Sequence, residues 1–109
     1  MAKLVRGTLA SLTVLVGCIA GGYGQAQSSE QGKLVFTEKA EPPCALCHAL
    51  KAAGSSGEIG PDLDDLKPDL EKVRRAVKTG VGAMPPYEET LSEVEIEAVA
   101  AFVAEAVGK

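Results

Sequence analysis

Apolar residues recur at helical spacing along the last part of the chain, where Ile96, Val99, Ala100, Val103 and Val107 occupy positions i, i+3, i+4, i+7 and i+11. Just ahead of them, Ser92-Glu93-Val94-Glu95 has the form of a capping box, with a hydroxyl and, three residues on, a carboxylate that can each bond the other's backbone N–H. The pattern predicts a helix opened by Ser92 and running to the end of the chain. A second stripe, Leu70, Val73 and Val77 at i, i+3 and i+7, follows Pro68, which suits the first turn of a helix, and stops at Gly80. A third helical pattern begins at about Gln31 and carries Leu34, Val35 and Phe36. Pro42-Pro43 ends it, because proline has no N–H to donate and restricts the residue before it. Residues 27–31 read as a loose polar leader. Lys51 to Gly60, with Gly54-Ser55-Ser56-Gly57, reads as a flexible loop. No alternating pattern of strand length occurs anywhere, so the expected fold class is all-α.

The beginning of the chain has a different character. Lys3 and Arg6 precede an apolar stretch, Thr8 to Ala20, and Gly24 and Ala26 fall at the small-residue positions of a cleavage site. Residues 1–26 are therefore expected to be a signal peptide, with residues 27–109 the mature domain in the periplasm. The apolar stretch is shorter than the roughly 20 residues a membrane-spanning helix needs. Leu15-Val16-Gly17-Cys18 also matches a lipobox. Lipidation at Cys18 is the alternative processing route, and the only one that brings the chain to a membrane.

The first 26 of 109 residues removed, 83 remain, with 9 basic and 15 acidic residues and a formal charge of −6. An acidic surface of this size argues against nucleic acid as a partner and serves solubility or the steering of a basic protein. Eighty-three residues make one domain whose core is small, so a bound apolar group would add stability that the chain lacks by itself. The chain without such a group is expected to fold poorly.

That group is named by Cys44-Ala45-Leu46-Cys47-His48, the attachment signature of a c-type haem. Two cysteines three positions apart sit on nearly one face of a helical turn, where each sulfur can form a thioether to the same porphyrin, and His48 follows as an axial ligand. A structural zinc site would want four ligands, and beyond these three only Cys18 is left. A thioredoxin-like site would need a βαβ setting that the surrounding residues do not provide. The mature segment holds one histidine and one methionine, so Met84 is the candidate sixth ligand. Gly80-Val81-Gly82-Ala83-Met84-Pro85-Pro86 forms a loop whose glycines allow close approach and whose prolines hold shape. Filling a gap in the core is the alternative role of such a methionine.

Taken together, Gly32 and Phe36, Cys44-Ala45-Leu46-Cys47-His48, Gly60-Pro61-Asp62-Leu63, Gly82-Ala83-Met84-Pro85, and Leu91 with the helix carrying Phe102 resemble the class I c-type cytochromes in order and spacing across the mature segment. The resemblance implies a cytochrome c fold: three main helices wrapped around one haem c held by two thioethers, with the first and last helices crossing at Gly32, Phe36 and Phe102. It also implies that the Pro61 carbonyl accepts a hydrogen bond from His48 Nδ1–H, where Pro61 by itself reads as a turn proline. The chain departs from many relatives in having no tryptophan and in carrying Pro86-Tyr87 after Met84-Pro85. Tyr87 is either a packed or surface residue or a donor to a haem propionate.

The function implied is that of a periplasmic one-electron carrier cycling haem between Fe(II) and Fe(III) with His48 and Met84 as axial ligands. It would have no catalytic residues and no small-molecule substrate, and its partners would be redox proteins. A cytochrome subunit of a periplasmic dehydrogenase, oxidising sulfite or an alcohol for example, is the alternative. A haem sensor or enzyme would need a displaceable sixth ligand.

Overall fold

A computed structural model describes residues 23–109 and the isolated positions 7, 13, 14 and 17, with residues 23–28 described by their backbone. Cys18 and, apart from positions 13, 14 and 17, the apolar part of the expected signal peptide lie outside the described residues, and Gly24 and Ala26 fall in the first helix. Among the described residues no helix is long and apolar enough to cross a membrane.

Helix α1 spans Tyr23–Leu34, so the leader expected at residues 27–31 is helical. The segment has no proline and no β-branched residue to oppose a helix. A wider π-helical turn continues it over Val35–Lys39 and closes with Ala40 N–H bonded to Val35 O at 3.1 Å. Val35 and Phe36 are buried there. Short helix α2, Cys44–Cys47, follows the two prolines. Strands β1, Ala49–Leu50, and β2, Ser55–Ser56, then pair antiparallel, joined by a 3₁₀ turn at Lys51–Ala53 and by Gly54 at φ +65°. The expectation of an all-α chain holds except for this minimal ladder, which is too short to leave an alternating pattern.

Helix α3, Leu63–Leu66, is capped by Asp62, whose carboxylate accepts Asp64 N–H at 2.9 Å. Helix α4 spans Leu70–Thr79 and ends at Gly80. Pro68 was expected in its first turn, but Asp69 accepts Lys72 N–H at 2.8 Å and takes the cap, leaving Pro68 just outside. Helix α5, Glu93–Ala106, opens with the full capping box: Ser92 Oγ accepts Glu95 N–H at 3.1 Å, and Glu95 Oε1 accepts Ser92 N–H at 3.0 Å.

Helices α1, α4 and α5 are the three main helices, and α5 packs against both of the others. A Cβ built on Gly32 would stand 2.2 Å from Ala98 O and 2.5 Å from Phe102 Cβ, so α1 and α5 approach to a distance that only glycine permits. One turn later the rings of Phe36 and Phe102 meet edge to face, 6.1 Å between centroids and 66° between planes. Between α4 and α5, Arg74 makes a two-pronged contact with Glu97 at 2.6 and 2.8 Å and also bonds Glu71. The guanidinium holds the Glu97 carboxyl below the usual carboxylate range.

Candidate functional site

Pro43 sets the start of the site. Its fixed φ of −61° makes it an extended N-cap from which the chain turns at once into α2, with Leu46 N–H bonded to Pro43 O at 3.1 Å. One helical turn therefore separates Cys44 from Cys47, and the chain leaves it extended at His48, whose N–H closes the turn on Cys44 O at 2.9 Å. Both cysteines are free thiols. Burial pushes the Cys44 thiol up to about 11, so Cys44 lacks the stabilised thiolate that disulfide exchange uses.

Residues 55–60 are built onto the back of this turn. Ser55 Oγ donates to His48 O at 2.9 Å, and Gly60 N–H donates to Cys47 O at 2.7 Å. A Cβ on Gly57 would lie 2.6 Å from Leu46 O, and one on Gly60 would lie 2.6 Å from His48 Cε1. The segment expected to be a flexible loop is thus a close-fitting wall for α2 and for the imidazole.

Next to Gly60, the Pro61 carbonyl lies 2.8 Å from His48 Nδ1. A carbonyl can only accept, so Nδ1 carries the proton and the lone pair is left on Nε2, the nitrogen free to bind a metal. Asp64 braces the same pair of segments: its carboxylate accepts Lys51 N–H at 2.8 Å and Gly108 N–H at 3.0 Å. These two donors hold the Asp64 carboxyl below the usual carboxylate range.

Met84 is half-buried and packs against the same apolar core as Cys44 and Ala45. It closes a tight turn with Val81, each donating its N–H to the other's carbonyl, at 3.1 and 2.9 Å. Gly80 and Gly82 supply positive φ angles of +72° and +55° on either side of Val81. Tyr87, offered by the sequence as a possible propionate donor, instead spends its hydroxyl on Pro42 O at 2.6 Å. Burial pushes its phenol up to about 12.

Two neighbouring thiols, an imidazole with one nitrogen free, a thioether on a braced turn and a core with no buried polar side chain among the described residues match what a covalently bound haem requires. Among the described residues no three His, Cys, Asp or Glu side chains gather as ligands of a single ion. Sequence reasoning missed Asp64 and the Tyr87–Pro42 contact, both formed by residues far apart in the chain. The glycine at position 60, directly before Pro61, was the visible signal for close packing on the imidazole.

A family described as "Cytochrome C oxidase, cbb3-type, subunit III" matches residues 28–103. Cytochrome c6 from Tetradesmus obliquus is 37% identical over 82 residues, covering 66% of this chain and 83% of that protein. The crystal structure of the c-type cytochrome SorU from Sinorhizobium meliloti superimposes with a TM-score of 0.74 at 49% identity, over 77% of this chain and 95% of that one.

Proposed function

The chain belongs to the small class I c-type cytochromes, carrying one covalently bound haem c and serving as an electron carrier, and we propose that it does so in the periplasm with His48 and Met84 as the two axial ligands. When bound, the haem supplies a one-electron Fe(III)/Fe(II) couple. Cys44 and Cys47 would hold it through thioethers, and His48 would bind through Nε2 while Pro61 fixes the ring.

The observation that carries this reading is the donor set among the described residues: one imidazole presenting a free nitrogen, and one thioether on a turn braced by its own two hydrogen bonds. With both used at iron, no position would remain there for a substrate. Exposed apolar side chains stand in both ligand segments, Leu46 at 58% exposure and Val81 at 65%. They offer a small contact surface of the kind used in transient redox encounters, which typically bury less than about 1,200 Å².

The test is carbon monoxide added to the reduced, native holo-protein, beside mass spectrometry of the exported chain. A closed carrier leaves the reduced spectrum unchanged and begins near Gln27. Carbon monoxide binding would favour a sensor or enzyme, and a lipidated Cys18 would place the protein on a membrane. A second reading, a fixed subunit of a larger redox assembly, is favoured by the matching family's description as an oxidase subunit. Co-purification of a catalytic subunit in constant ratio would support it.

A further inference from the structure

The Met84 turn has few ties of its own. Among the described residues the backbone bonds of Val81 and Met84 go to one another, and Val81, Gly82 and Ala83 are exposed. The turn is carried between Gly80, at the end of α4, and Tyr87. Tyr87 is fastened firmly: it is buried, its N–H donates to Val77 O at 2.8 Å, and its carbonyl accepts Leu91 N–H at 2.9 Å. Its hydroxyl then reaches 45 residues back along the chain to Pro42 O. Pro42 lies two residues ahead of Cys44.

A single side-chain hydrogen bond thus ties the far end of the methionine loop to the peptide that carries the attachment cysteines. We propose that Tyr87 is a positioning residue for the sixth ligand, and that its hydrogen bond to Pro42 O limits how readily Met84 is displaced from iron. This rests on Met84 being the ligand. Opening of the loop detaches Met84 and exposes the position to an external ligand, so removing the bond raises the population of the open state. A neutral hydrogen bond of this kind is worth roughly a twofold to tenfold change in such an equilibrium.

The experiment is an imidazole titration of the oxidised holo-protein, wild type against Tyr87→Phe, which keeps the ring and its packing. The variant is expected to retain the sulfur-to-iron charge-transfer band at low temperature and to bind imidazole about twofold to tenfold more tightly. On warming it should lose that band at a lower temperature than the wild type, by a larger margin than its helical unfolding midpoint falls. An imidazole affinity within twofold of the wild type, with the band intact, overturns the proposal. So does the absence of a slowly exchanging tyrosine hydroxyl proton in the magnetic resonance spectrum of the reduced wild type, a measurement that needs no variant. Failure of the ligand reading looks different. The wild type would then lack the band altogether and bind imidazole no less tightly than Met84→Ala, overturning both.

Discussion

His48 donates its Nδ1–H to the carbonyl of Pro61, 13 residues further along the chain, at 2.8 Å. Lys51 and Asp64 stand in the same relation, 13 residues and 2.8 Å apart. The stretch leaving the haem motif and the stretch leaving Pro61 are therefore joined at two points in the same register, one through the ligand and one through a carboxylate. The orientation of the imidazole is a property of this pair of segments.

Asp64→Ala removes the acceptor of two backbone N–H groups and frees both the segment after His48 and the C-terminus. The folded-state pKa of Asp64 lies below its unfolded value, so its contribution is fully present above the unfolded value of about 4 and is lost as pH falls through the folded one. Thermal melts of the holo-protein should show the variant less stable at neutral pH, with the gap to wild type closing in acid.

Gly60→Ala places a methyl group 2.6 Å from His48 Cε1 and 2.9 Å from Nδ1, so the imidazole or the backbone beside it must shift. Overpacking of this kind costs about 1–3 kcal/mol. The yield of haem-loaded protein should fall, and the reduction potential of what is recovered should shift because the Pro61 contact is disturbed. Haem-to-protein ratio and spectroelectrochemistry measure the two effects.

Gly32→Ala acts far from the iron. The new methyl group would meet Ala98 O and Phe102 Cβ, both fixed by α5, so the helices must separate and the Phe36–Phe102 contact with them. A loss of about 3 kcal/mol, at the upper end for overpacking, is expected in denaturant unfolding. The visible spectrum of the folded fraction should keep its methionine band.

Some of this was legible in the sequence because it is local. The spacing of Cys44, Cys47 and His48, the turn residues around Met84 and the capping box at Ser92 are each contained within a few positions. Helices α4 and α5 followed from apolar periodicity, whereas α1 begins at Tyr23, well ahead of the pattern expected from about Gln31. Residues 51–60 were misread because Gly-Ser composition reports the freedom of an isolated backbone; here Gly57 and Gly60 are small because Leu46 O and the His48 ring stand against them. Pro68 and Asp69 both fit a helix start, and the hydrogen bond that Asp69 makes to Lys72 N–H decided between them. Asp64 with Gly108 and Tyr87 with Pro42 are pairs separated by 44 and 45 residues, and a single sequence has no pattern that joins them.

The central claim, a closed site with His48 and Met84 at iron, is tested most directly by the absorption spectrum of the oxidised holo-protein beside that of Met84→Ala. The account predicts the sulfur-to-iron charge-transfer band in the wild type, its complete loss in the variant, and a lower reduction potential once the thioether is gone. A wild-type spectrum without that band, or one that Met84→Ala leaves unchanged, would contradict it.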